Sequence, residues 1–292
     1  MKTIKCPITG SKENEILFEI KKFPIFMGVS KLNKNYKFNK MRFIINKEYG
    51  TVQINPKVSP ERLYFAPHGS GKIGNVWKKH HEIYFETVQK YFKGNILEIG
   101  GGDQSIVKKI KSFNGINKVY VCGKNISLKK QSTKVFIFDE FFSSLIKKHI
   151  KPRSVNLICH SHTLEHIYDI NKFLRLVNHL LIDEGMHIFS IPNMRPMIEN
   201  NQGNAMNFEH PFYYDEKLVE TILKNNGFRV LKKKLYLKNH SIIYETKKNK
   251  NIIRFDYENF NENKILFLNL YNSWLKDVKK ISSLCQKNEK VY

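Results

Sequence analysis

Between residues 95 and 248, short apolar segments return at intervals that leave room for a helix, and this alternation constrains the fold most. The segments are 96–99, 118–122, 135–138, 155–159, 186–191, 229–232 and 241–244. Strand and helix in alternation build a mostly parallel sheet with helices on both faces. Only a few residues separate the last two segments, too few for a helical crossover, so they should pair antiparallel. The expected fold is α/β: a Rossmann-like, mostly parallel seven-stranded sheet with one antiparallel strand, a small β-rich N-terminal lobe and a C-terminal helix.

The flanks read differently from the core. Residues 1–60 form the β-rich lobe, with strands at 15–20, 42–46 and 51–54, the last two joined by a turn over 47–50. Residues 61–94 supply a Pro- and Gly-containing loop and a helix over 75–92. The core is 95–248, and 249–292 is a helical extension. Within 263–286, Ile265, Leu268, Tyr271, Leu275, Val278 and Ile281 recur at spacings of three and four. That stripe is expected to dock on the core, with a homodimer seam as the alternative.

The chain of 292 residues carries a formal charge of +24. Arg supplies only seven of the 50 basic residues and Lys the other 43. Arg is the residue suited to bidentate phosphate recognition, so the charge reads as a solvated surface, and then as a fit to a small anionic substrate before nucleic acid. No apolar run reaches the roughly 18 residues of a membrane span, and the first residues lack the apolar stretch of a signal peptide. A cytoplasmic location is expected. Cys6, Cys122, Cys159 and Cys285 share no metal-ligand spacing.

The strongest local signal is Glu98-Ile99-Gly100-Gly101-Gly102-Asp103-Gln104-Ser105, an apolar strand running into glycines and then into a helix expected over 106–113. Glycines let the backbone turn tightly and approach a ligand, and a helix start offers free N–H groups. Ser at 105 departs from the three-glycine dinucleotide spacing. The acid, Glu98, precedes the glycines, where it could serve the amino-acid part of a ligand.

The segment 98–103 resembles the first motif of class I methyltransferases. Residues 155–167 resemble their fourth strand and the helix start that follows, and 180–193 their fifth strand. The resemblance narrows with Phe141-Phe142-Ser143, Thr163-Leu164-Glu165-His166, Pro192-Asn193 and Phe208-Glu209-His210. These look like the methyltransferases that C-methylate nucleotide-linked deoxysugars. Residues 64–81, with His80-His81, are similar to the segment before their glycine motif. The relatives begin with a zinc-ribbon lobe. Here Cys6, Thr9, Asn46 and Tyr49 occupy its four ligand-like positions, so zinc is not expected. The relatives also carry a second nucleotide-fold domain after the core, where this sequence has only the leading helix.

The resemblance implies S-adenosyl-L-methionine as cofactor, held by Glu98, Gly100, Gly101 and Gly102. It places Asn125 where an acid usually binds the ribose, Asp139 and Phe141 at the adenine, and His160 near the methyl. It implies His210 as general base, with Glu209 and Tyr213 shaping or orienting the acceptor. His162 and His166 lie four apart, but no metal is expected there. The reading is a methyltransferase acting on a small polar acceptor, a nucleotide-linked sugar or phosphorylated precursor of a surface glycan. An RNA methyltransferase and a non-catalytic binding protein of the same fold stay open as alternatives.

Overall fold

The computed structural model describes residues 4–25, 37–64, 74–101, 105–110, 114–126, 128, 132–202 and 205–286. Its central sheet contains β4 (Gly94–Ile99), β5 (Ile116–Cys122), β6 (Val135–Phe138), β7 (Val155–Ser161), β8 (Leu181–Pro192), β9 (Phe228–Tyr236) and β10 (Ser241–Lys248). Their spatial order is β6-β5-β4-β7-β8-β10-β9. β10 runs antiparallel to both β8 and β9, and the remaining pairs are parallel. The expected α/β architecture with one antiparallel strand is therefore present. The chain reverses its direction of winding between β4 and β7, which opens a crevice beyond their carboxyl ends.

The apolar alternation works because both sheet faces are covered. On one face α3 (Ile170–Leu180) buries Phe173, Leu174, Val177 and Leu180. On the other, α2 (Gly74–Val88) contributes Tyr84 and Val88 to a second cluster with Ile96, Val119 and Leu157. Asp169 caps α3 through Lys172 N–H at 2.9 Å, and Asp215 caps α5 (Glu216–Asn225) through Leu218 N–H at 2.7 Å. Two short helices, α1 (Pro60–Leu63) and α4 (Met194–Glu199), complete the connections toward the crevice. The helix expected over 106–113 is a single 3-10 turn, Ile106–Lys109, and 111–113 lie outside the described residues. Ile106, Val107 and Ile110 are β-branched and lower its intrinsic helix propensity.

The lobe is a three-stranded antiparallel sheet of β1 (Asn14–Pro24), β2 (Phe38–Asn46) and β3 (Val52–Asn55). Phe18, Phe43 and Ile45 make its core. The tail helix α6 (Phe260–Gln286) lies on this lobe: Tyr271 stacks on Phe18 at 4.5 Å, and Phe267 meets Phe43 at 5.9 Å. The docked face shares Tyr271 with the stripe read in the sequence and otherwise differs from it. Asn263, Phe267 and Leu270 are buried, while Ile265, Leu275, Val278 and Ile281 are exposed. The lobe offers rings, and the helix turns Phe267, Tyr271 and Trp274 toward them.

Candidate active site

The crevice begins at the glycine turn. Gly100 has φ +74, and a Cβ there would lie 2.6 Å from Thr163 Oγ1, at the start of the loop after β7. A Cβ on Gly123 would lie 3.2 Å from Gly100 Cα. Three strand ends thus meet at a point where side chains are excluded, a backbone cradle for a flat or extended ligand. Glu98 is buried beneath it. Its carboxylate accepts from the Ser105 hydroxyl and, at 2.9 Å, from Ile106 N–H. Burial still pushes Glu98 up to about 7. Glu98 therefore closes the glycine loop from below. Gly102 lies outside the described residues.

Asn125, with φ 59, follows β5. Its N–H donates to Asp139 at 2.7 Å, and its side-chain amide donates to Tyr64 O at 2.8 Å. Asp139 is exposed, so its carboxylate bridges two strand ends and keeps acceptor capacity. Phe141 is half-buried and meets Tyr64 edge-on at 6.2 Å. A glycine cradle, Asn125, an exposed acid and an aromatic edge lie along one sheet margin, a donor set whose chemistry suits S-adenosylmethionine.

His160 is placed elsewhere. It is 1% exposed, its Nε2 lies 2.9 Å from His187 Nε2, and its ring packs on Phe173 and Phe189. Strand alternation turns it toward α3 and away from the crevice.

The second half of the site is built on two loops. The 3-10 turn Leu164–His166 follows β7, and the segment after α4 leads to 205–215. Asn207 Oδ1 accepts from Glu209 N–H at 2.7 Å and His210 N–H at 3.1 Å, which fixes the bend. The edge of β3 holds the residues just beyond the bend: Ile54 N–H donates to Pro211 O at 2.9 Å and Tyr213 N–H to Val52 O at 3.0 Å. The lobe thereby positions the His210 loop.

His166 and His210 face each other with ring centroids 4.7 Å apart. His210 Nδ1 donates to Ala205 O at 3.2 Å, which leaves Nε2 with its lone pair. His166 Nδ1 lies 3.1 Å from Glu209 O and 2.7 Å from the Tyr64 hydroxyl. Glu209 O can only accept, and the Tyr64 hydroxyl can accept as well as donate, so the tautomer that satisfies both contacts has the proton on Nδ1 and the lone pair on Nε2. Burial pushes His166 down to about 4 and lowers His210 as well, so both rings are neutral at pH 7. Glu165, 1% exposed, sits beside them with its carboxyl raised by burial.

The resemblance implied roles for His210 and Glu209 but assigned none to Glu165 and His166. Their adjacency to a second histidine arises from loop packing, which the sequence does not display. Tyr213 is the converse case. Its ring packs on Phe267 of α6 at 5.2 Å, and its charged neighbours are Asp215, Arg195 and Glu199, away from the imidazole pair. Tyr64, unforeseen as a site residue, joins the two halves by touching Asn125 on one side and His166 on the other.

Sheet order, glycine cradle and crevice together define a class I methyltransferase fold. A family model described as a methyltransferase domain matches residues 76–233, more than half of the chain, and the chain belongs to that family. It is an S-adenosylmethionine-dependent methyltransferase. Similar solved structures include a Listeria monocytogenes protein provisionally described as an S-adenosylmethionine-dependent methyltransferase. The two share 12% identity with a TM-score of 0.49, over 61% of this chain and 100% of that one. An S-adenosylmethionine-dependent methyltransferase from Mesorhizobium loti shares 12% identity with a TM-score of 0.45, over 62% of this chain and 99% of that one. No curated protein matches the chain. Among the described residues, no helix is long and apolar enough to cross a membrane.

Proposed function

We propose that the protein methylates a small polar acceptor, a nucleotide-linked sugar or related phosphorylated precursor of a surface glycan, with His210 as the general base. The observation that carries this reading is the His210 ring itself: neutral, anchored through Nδ1 on Ala205 O, with Nε2 free at the carboxyl edge of the sheet. S-adenosylmethionine, when bound, supplies an electrophilic methyl on a sulfonium sulfur. The glycine turn at Gly100 and Gly101 holds its amino-acid end, and Asn125, Asp139 and Phe141 serve the nucleoside. His210 Nε2 would take the proton that the acceptor loses when it exchanges that proton for the methyl group. Glu209, through its carbonyl, holds His166 in place beside that base.

The domain reading of 1–60, 61–94, 95–248 and 249–292 belongs to the same proposal, with the first unit a degenerate zinc-ribbon lobe. Two tight turns support this. Gly10 N–H donates to Cys6 O at 2.7 Å and Gly50 N–H to Asn46 O at 2.8 Å, and both glycines have positive φ. Cys6 Sγ lies 3.3 Å from Thr51 Oγ1.

The test is His210→Ala. Turnover should fall by about 10²–10⁴ while the cofactor Kd measured by calorimetry stays unchanged. His210→Gln keeps a polar side chain but cannot take up the proton, so it should be similarly slow. Near-normal turnover of either variant would remove the base role and favour an acceptor that is already anionic.

A further inference from the structure

Glu165, His166 and His210 each present one ligand atom, and these three atoms lie within 4.8 Å of one another. Some point therefore lies within about 2.8 Å of all three atoms, against about 2.0–2.2 Å for zinc–imidazole and zinc–carboxylate bonds. Small side-chain rotations close that difference. Each imidazole is already fixed through Nδ1 on a main-chain carbonyl, His166 on Glu209 O and His210 on Ala205 O. That is the outer-sphere arrangement of metal-ligating histidines, in which the anchored N–H sets the tautomer and leaves Nε2 to bind. Glu165 is held from behind by its Oε1, 3.1 Å from His162 Nδ1, whose Nε2 is in turn 2.9 Å from Ser241 Oγ. Its Oε2 is buried and has no hydrogen-bond partner. A buried carboxylate oxygen without a partner is costly, and a cation would satisfy it.

We propose that Glu165, His166 and His210 bind a first-row divalent transition-metal ion. Two imidazoles and one carboxylate favour zinc, cobalt or nickel over magnesium or calcium, which prefer all-oxygen sites. Three protein ligands leave at least one position open for water or an acceptor oxygen. A metal on His210 Nε2 uses the lone pair that the base role requires. Metal loading therefore inhibits turnover, a consequence that rests on the function proposed above, whereas binding itself does not.

The experiment titrates Co²⁺ into the full chain, free of any affinity tag and stripped with EDTA, and follows visible d–d absorption. One Co²⁺ per chain should bind, without the intense sulfur charge-transfer band that cysteine ligation would add. Glu165→Gln and His166→Ala should each weaken binding by at least about 10-fold. His81→Ala, in the separate histidine group on α2, should leave it unchanged. Zn²⁺ titration of unsubstituted protein, read by imidazole ¹⁵N shifts, needs no variant to fold and should move His166 and His210 most, with His162 following through Glu165. Absence of a Co²⁺ band, binding that survives both substitutions, or shifts at His80, His81 or His240 instead would each overturn the site. If Co²⁺ binds as described but turnover is not inhibited, the base reading fails and the metal site stands.

Discussion

Gly100 shows how a single atom decides whether the crevice can exist. Its φ of +74 is a conformation that a branched side chain adopts only with strain of about 1–2 kcal/mol. An added Cβ would also sit 2.6 Å from Thr163 Oγ1. Gly100→Val should therefore push the loop after β7 away from the glycine turn and abolish cofactor binding in titration calorimetry. Far-ultraviolet circular dichroism should remain that of the parent, because the strands below do not depend on this residue. The neighbouring Gly101 faces Glu98 instead, with a would-be Cβ 2.6 Å from Glu98 Cδ. Glycines here thus answer to two different neighbours, one across the sheet and one on their own strand.

Among the elements, α2 carries the most unusual load. His80 is fully buried with neither ring nitrogen hydrogen-bonded, and it lies 5.0–5.3 Å by ring centroid from His81, His162 and His240. Burial pushes His80 down to about 2, His162 to about 3 and His81 to about 4. In the unfolded chain each takes up a proton near pH 6.5. Between these values the unfolded state binds more protons, so stability is full above about pH 6.5 and falls progressively as pH drops through about 4, 3 and 2. Urea unfolding should show this acid limb. His80→Leu should remove about 2 kcal/mol of the loss between pH 7 and pH 5. Elements of this kind were largely legible in the sequence, since β4 to β10 and the helices around them follow from periodicity and turn residues. The β3 edge pairing with Pro211 and Tyr213 was not legible, because it joins residues about 160 apart through backbone atoms that no side-chain pattern encodes. The same holds for His160. Its place at a strand end suggested the crevice, but strand alternation turned it into the core.

At the scale of the whole molecule, one hydrogen-bonded path joins lobe, tail and core. Asn263 of α6 donates to Gly50 O at 2.9 Å and to the Tyr257 hydroxyl at 2.8 Å. Tyr257 donates to Asp215, the cap of α5, at 2.8 Å. Lys264 adds an ion pair to Glu15 at 2.7 Å. A chain ending at residue 258 should keep its cofactor affinity, because the glycine cradle is remote from α6. Its lobe amides should lose hydrogen-exchange protection, and turnover should fall as the β3 edge releases the His210 loop. Intact exchange protection in that shortened chain would show the lobe to be self-sufficient. The same packing sets an order of events during synthesis. A ribosome releases residues 14–55 long before 260–286, so the lobe meets its covering helix only after about 200 further residues have been made. Until then Phe18 and Phe43 have no Phe267, Tyr271 or Trp274 against them, and a nascent chain waits with its first-made sheet half dressed.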